Sequence, residues 1–200
     1  MVINDKYKFI FVHIQKNAGV SITNSLMSIP NTREILSQHS FLSHLDYEKY
    51  NDYYKFCIVR NPFDRLVSWY NMMIQKGIHN DFSRYLLQNS NNFSEFLKLT
   101  DKVNETNLGE WSGYYPKSIS HNQLDYISDK NGNLIIDYIG RFENLDSDYK
   151  TITNKLVFEM TLEKSNSFSH NNYREYYKDK DIEVVYNMYK RDIEYFGYEF

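Results

Sequence analysis

The stretch Phe9-Ile-Phe-Val-His-Ile-Gln-Lys16-Asn-Ala-Gly19-Val-Ser21 decides how this chain folds. Four consecutive apolar residues, Phe9 to Val12, suit a strand buried on both faces. The run then empties into a short loop with Lys16, Gly19 and Ser21 at positions suited to binding an anion. Gly19 permits close approach of the backbone to a ligand, and Ser21 begins a helix whose N–H groups attract negative charge. Lys16 supplies a mobile point charge. The order is not that of a Walker A loop, because Lys16 precedes Gly19 instead of following a second glycine. The segment therefore reads as strand, phosphate loop and helix.

Working outward, Tyr54-Lys-Phe56-Cys-Ile-Val59-Arg60-Asn-Pro62-Phe-Asp64-Arg65-Leu-Val-Ser68-Trp-Tyr70 repeats that plan. An apolar strand from Phe56 to Val59 leads to Arg60, and Pro62 then opens a helix from its first turn, where Asp64 also suits the helix dipole. Arg60 stands at the carboxyl end of the strand and Ser68 projects from the helix, a pair able to grip a phosphate by charge and hydroxyl. Open α/β sheets bind ligands where strands end in this way.

These residues resemble a known family. Val12-His-Ile-Gln-Lys16-Asn-Ala-Gly19-Val-Ser21 is similar to the 5′-phosphosulfate loop of sulfotransferases, usually written HIPKTAGTS in the carbohydrate-type branch. Val59 to Tyr70 resembles that family's 3′-phosphate motif, with Arg60 and Ser68 eight positions apart. Ile139-Gly-Arg141-Phe-Glu143-Asn-Leu145 and the ending Asp192-Ile-Glu-Tyr-Phe196-Gly-Tyr198-Glu-Phe200 are similar to further segments of the branch, so the resemblance runs from Lys8 to Phe200. It implies an α/β fold, a central, mainly parallel sheet flanked by helices and P-loop nucleotide kinase-like in outline. It also implies an enzyme that moves a sulfuryl group from 3′-phosphoadenosine 5′-phosphosulfate (PAPS) to an acceptor hydroxyl, on a carbohydrate, a glycolipid or a small molecule, without a metal. Three positions depart from the pattern: Gln15 replaces the usual Pro, Asn17 the usual Thr, and Val20 a small polar residue. We read these as tuning of donor affinity.

The resemblance assigns roles residue by residue. Lys16, Asn17, Ala18, Gly19, Val20 and Ser21 hold the 5′-phosphosulfate, with Lys16 stabilising the departing phosphate oxygen. Arg60 and Ser68 hold the 3′-phosphate. Tyr173-Arg174-Glu-Tyr176-Tyr177 resembles a late segment that lies near donor or acceptor, which makes Tyr173 and Arg174 contact candidates. A base must take the acceptor's proton, and histidine is the side chain suited to that near neutral pH. Of six histidines, His13 belongs to the strand end as packing, while His39 and His44 lie between the two phosphate motifs. Ser37-Gln-His39-Ser fits the family context better than Ser43-His44-Leu. Glu143 beside Arg141 reads as a buried structural pair and is the next base in line, and Arg65 either faces the nucleotide or pairs with an acid on the helix surface.

Composition agrees with one domain spanning 1–200. A chain of 200 residues buries roughly 70% of its unfolded surface without disulfides. A net charge of −3 gives no general attraction to nucleic acid or to anionic membrane, so a basic site must be local. The lone Cys57 in an apolar strand reads as a core residue in a reducing compartment. No segment approaches the ~20 apolar residues of a membrane span. Relatives in the branch often carry an N-terminal anchor; we expect a soluble, cytoplasmic enzyme.

The remaining segments are read at coarse grain. Helices are predicted over 22–29, 62–76, 82–87, 93–99, 146–156 and, as one unbroken element, 180–195, with Gly77 stopping the second. Asp129-Lys-Asn131-Gly132 is a hairpin-type turn flanked by Leu124–Ile127 and Leu134–Ile139. Trp111, Tyr114 and Tyr115 offer a stacking surface for a sugar or an anchor for their loop. A small-molecule kinase using ATP, or a non-catalytic module binding nucleotide and glycan, are the competing readings.

Overall fold

The computed structural model describes all residues except 47, 78–80, 102–114, 159–161 and 163–170; the side chains of 81, 82, 101 and 115–117 are also outside it. Trp111, Tyr114, His79, His170 and the side chain of Tyr115 thus lie outside the described residues. The chain divides into two compact units, Met1–Arg60 with Gln123–Ser167, and Asn61–Asn122 with Phe168–Phe200.

The first unit is built on a five-stranded sheet. Its strands are β1 (Val2–Asn4), β2 (Phe9–Val12), β3 (Thr32–Glu34), β4 (Tyr54–Val59) and β5 (Tyr138–Arg141), in the order β3-β1-β2-β4-β5. The half that carries the phosphate loop is parallel, with Phe11 opposite Phe56 and Cys57 opposite Ile139. The other half is antiparallel, so the sheet is mixed. Phe9, Phe11, Phe56 and Ile58 form one face of a core with Ile22, Leu26 and Ile29 from α1 (Gly19–Met27) and its C-terminal end, and with Tyr149, Ile152 and Leu156 from α7 (Leu145–Leu156). The spacing of Ile22, Leu26 and Ile29 puts them on one helix face, and each such buried aliphatic side chain contributes about 1.5–3 kcal/mol. Ile10, Val12, Cys57 and Val59 on the alternate positions are buried as well, which is why Phe9–Val12 and Phe56–Val59 read as unbroken apolar runs.

The short strands β1 and β3 carry no comparable signal. β1 turns into β2 because the Asn4 side chain accepts from the N–H groups of Lys6 (3.0 Å) and Tyr7 (2.9 Å), an Asx-type turn closed by Lys8 at φ 50°. The segment Leu124–Ile127 lies in a helix, α6 (Gln123–Ile127). The turn after it is of hairpin type: Asp129 accepts from the N–H groups of Asn131 and Asn133, each at 2.8 Å, and a single bridge joins Ser128 to Leu134. Extended pairing stops there because Tyr138–Arg141 is drawn into the parallel edge beside β4.

The second unit is helical. α2 (Pro62–Lys76) is capped by Asn61, whose side chain accepts from Phe63 N–H at 3.1 Å, and ends at Gly77 with φ 66°. With α3 (Asp81–Asn89), α4 (Phe93–Asp101), α5 (Tyr115–Ser120), α8 (Asp179–Met188) and α9 (Lys190–Phe196) it encloses a core of Phe63, Leu66, Trp69, Leu86, Phe96 and Ile193, among others. The expected single helix over 180–195 breaks at Tyr189, held at φ −119° and ψ 28°; its buried phenol donates to the Ile119 carbonyl. A tertiary bond, with neither Pro nor Gly, makes that break. No helix among the described residues is long and apolar enough to cross a membrane.

Arg65 is 1% exposed and donates to the carbonyls of His121 (3.1 Å) and Ser118 (3.3 Å) at the end of α5. A cation is well placed at a helix C-terminus. At 1% exposure the side chain is not on the helix surface, where one of the two sequence expectations put it in an ion pair. Arg65→Ala leaves a buried and a part-buried carbonyl without these donors, so stability should drop by about 3 kcal/mol in denaturant titration.

Candidate active site

The loop between β2 and α1 has an unusual backbone. Lys16 and Ala18 both take left-handed conformations, with φ of 70° and 60°. Turns of this kind aim successive N–H groups to one side and form anion-binding concavities. Ala18 stands at the N-cap of α1 with no side chain to satisfy the first-turn donors. Those donors belong to Gly19, Val20 and Ser21, so the end of α1 combines N–H groups with the positive end of its dipole.

Two side chains hold this loop against the sheet. Asn17 is 1% exposed, and its Nδ2 donates to the Ile58 carbonyl (2.8 Å) and to Gln123 Oε1 (2.6 Å). Its Nδ2 is committed to the scaffold and its buried Oδ1 can only accept, leaving its backbone N–H as what it can offer an anion. Arg60, 6% exposed, lies with its guanidinium 4.0 Å from the centre of the Phe142 ring and donates from Nη1 to the Lys16 carbonyl at 3.0 Å. The arginine expected to bind phosphate therefore also braces the loop.

Gly19 is required by a neighbour within the fold. A Cβ at this position would lie 2.0 Å from the His13 ring, which packs directly on the loop. His13 is 2% exposed; its Nδ1 is 3.2 Å from Thr23 Oγ1, and its ring meets the His39 ring edge to face at 4.6 Å. Burial first, then the charges of His39 and the amino terminus, hold its pKa well below the ordinary 6.5. A group that stays neutral in the folded state and takes a proton when unfolded makes stability fall as pH drops below the unfolded value. The unfolding free energy should therefore decline by up to about 1.4 kcal/mol per pH unit below 6.5 through His13, and urea titrations of His13→Gln should lack that part of the slope.

The two base candidates separate cleanly. His39 is half-buried beside the loop, and its Nδ1 donates to the His13 carbonyl at 3.2 Å. Because a carbonyl only accepts, this bond places a proton on Nδ1, so that in the neutral ring the lone pair is on Nε2. His44 is exposed in a 3₁₀ turn over Leu42–His44, its ring 5.3 Å from Phe41, which in turn packs on Tyr126. Glu143 is exposed and Arg141 half-buried, so they are not the buried pair expected; the Arg141 N–H bonds Asp148 at 2.6 Å.

In the second unit, Ser68 is 6% exposed on α2. Tyr173 receives a hydrogen bond from Asn61 Nδ2 at 3.4 Å, and the exposed Arg174 stacks over Tyr173 (4.6 Å) and Phe200 (5.7 Å). Asn61 Nδ2 also donates to the Glu199 carbonyl at 2.8 Å, tying the final residues to the start of α2. The structure thus brings Lys16 to Ser21, Arg60 and His39 together around one loop, and adds Gln123, which the sequence reading missed. A buried glutamine at the first position of a short helix has no periodic or motif signal. Among the described residues no three His, Cys, Asp or Glu side chains cluster as metal ligands.

The parallel half of the sheet ends in the lysine-bearing loop and the buried Arg60, and the carboxyl ends of strands are where open α/β sheets bind ligands. The sulfotransferase family model matches residues 1–199, and the chain belongs to that family. No curated protein and no solved structure matches it.

Proposed function

We propose that the chain transfers the sulfuryl group of PAPS to an acceptor hydroxyl, with oligosaccharides and glycolipids as the favoured acceptor class, in the cytoplasm. The observation that carries this reading is the left-handed loop at the start of α1, with Lys16 on it and Arg60 bonded to its carbonyl. The N–H groups of residues 17–21 suit the 5′-phosphate, and Arg60 and Ser68 are assigned to the 3′-phosphate. The acceptor oxygen attacks sulfur as the bond from sulfur to the bridging phosphate oxygen breaks. His39 Nε2 takes the hydroxyl proton, and the Lys16 ammonium meets the charge growing on the leaving oxygen. A lone buried cysteine is in keeping with a reducing compartment.

Calorimetry with adenosine 3′,5′-bisphosphate, ADP and ATP, followed by transfer of labelled sulfate to a panel of hydroxyl acceptors, tests the reading. Preference for the bisphosphate and label in a sugar support it. Preference for ATP, with phosphate transfer, would point to a kinase and overturn it. Arg60→Ala and Ser68→Ala should each weaken bisphosphate binding by roughly 1.5–3 kcal/mol if their bonds to the 3′-phosphate are charge-assisted. AMP is the informative control. Equal loss for AMP and the bisphosphate would mean that Arg60 acts only by bracing the loop, whereas loss of the preference between them assigns it to the 3′-phosphate.

A further inference from the structure

Gln123 is fully buried at the start of α6, and its amide is engaged on both sides. Its Oε1 accepts from the Arg60 N–H at 2.9 Å and from Asn17 Nδ2 at 2.6 Å, while its Nε2 donates to the Arg60 carbonyl at 2.8 Å. Taking both the N–H and the C=O of one residue is what a neighbouring strand does. β4 ends at Val59, opposite Arg141, and the next residue is buried. The glutamine amide continues the ladder by one step there, where buried backbone groups need partners. The contacts then close on themselves: Gln123 holds the Arg60 backbone, the Arg60 guanidinium holds the Lys16 carbonyl, and the adjoining Asn17 returns to Gln123.

We propose that Gln123 is a positioning residue of the donor site, fixing through Asn17 and Arg60 where the Lys16 ammonium stands. The proposal rests on the sulfotransferase reading above. It gives the Asn17 departure a physical meaning: an amide at position 17 has a matching amide 106 residues later. A threonine there lacks the Nδ2 that bridges Ile58 and Gln123.

The circuit has two readouts. Gln123→Met keeps volume and burial but makes none of the three bonds. In the ligand-free protein, NMR hydrogen exchange should show the Arg60 amide protected in the wild type and exchanging freely in the variant, with the Ile58 amide in mid-strand unchanged. In turnover assays, a displacement of about 1 Å at Lys16 should lower kcat by about 30- to 100-fold while the Kd for adenosine 3′,5′-bisphosphate moves less than about fivefold. Asn17→Ala should do the same, and the double variant should be no slower than the slower single, because one break opens the whole circuit. Multiplying single effects, or an unchanged kcat for Gln123→Met in an otherwise active enzyme, would overturn the positioning role and leave the sulfotransferase reading standing. A wild type that neither binds the bisphosphate nor transfers sulfate defeats that reading and this proposal with it. A variant that loses only melting temperature, with normal kcat, assigns Gln123 to stability and also overturns the proposal.

Discussion

Lys16→Ala should lower turnover by about 10²- to 10³-fold while leaving the Kd for adenosine 3′,5′-bisphosphate within a few-fold of the wild type, since a donor aimed at developing charge is worth most in the transition state. The structure makes this substitution unusually clean. Lys16 contributes two separate things to the site, a carbonyl that accepts from Arg60 and an ammonium on a flexible stem. Alanine keeps the first and removes the second. The left-handed backbone at φ 70° costs alanine about what it costs lysine, so the substitution adds no backbone strain. Steady-state kinetics paired with calorimetry decide the matter. A variant that turns over within threefold of the wild type would end the leaving-group assignment. One that loses binding and turnover in equal measure would make Lys16 a general phosphate clamp.

His39→Ala should cost about 10²- to 10⁴-fold in kcat, the usual range for a lost general base, with donor affinity little changed. His44→Ala should retain most of its rate, because His44 is exposed on its 3₁₀ turn whereas His39 lies against His13 and the loop. His39→Gln is the companion variant: it keeps an amide able to donate to the His13 carbonyl and removes only the basic nitrogen. The wild-type rate should fall on the acid side, where the imidazole carries its own proton, and that limb should vanish in both His39 variants. If His44→Ala is the dead enzyme, the base belongs five residues further on. With both histidines dispensable, Glu143 becomes the next residue to change.

What could be read in advance was whatever the chain writes locally. The unbroken apolar runs Phe9–Val12 in β2 and Phe56–Val59 in β4 announced strands buried on both faces. Asn61, Pro62 and Gly77 marked the ends of α2 because capping and termination are decided within a few residues. The loop's lysine, glycine and serine were legible for the same reason. Hidden from that reading were features whose cause lies far along the chain. Leu124–Ile127 carries an apolar pattern too short to separate strand from helix, and the break at Tyr189 depends on a carbonyl 70 residues away. Asn17 looked like a departure at a ligand position, and its partner Gln123 had no pattern of its own. Arg60 was recognised as a cation at a strand end, but its bond to Lys16 could only be seen once loop and strand were folded side by side.

The imidazole of His13 lying on Gly19 makes these two positions a single evolutionary character. A methyl group at residue 19 would penetrate the ring, with contacts of 2.0, 2.1 and 2.8 Å to three of its atoms. The ring itself is confined by Thr23 and His39 and has little freedom to swing aside. A lineage carrying this pair can therefore acquire a side chain at 19 only after residue 13 has become smaller. The reverse order passes through an ancestor in which the loop is pushed off the His13 ring. Across related sequences, histidine at the first position should travel with glycine at the second, and the permitted order of substitution runs one way.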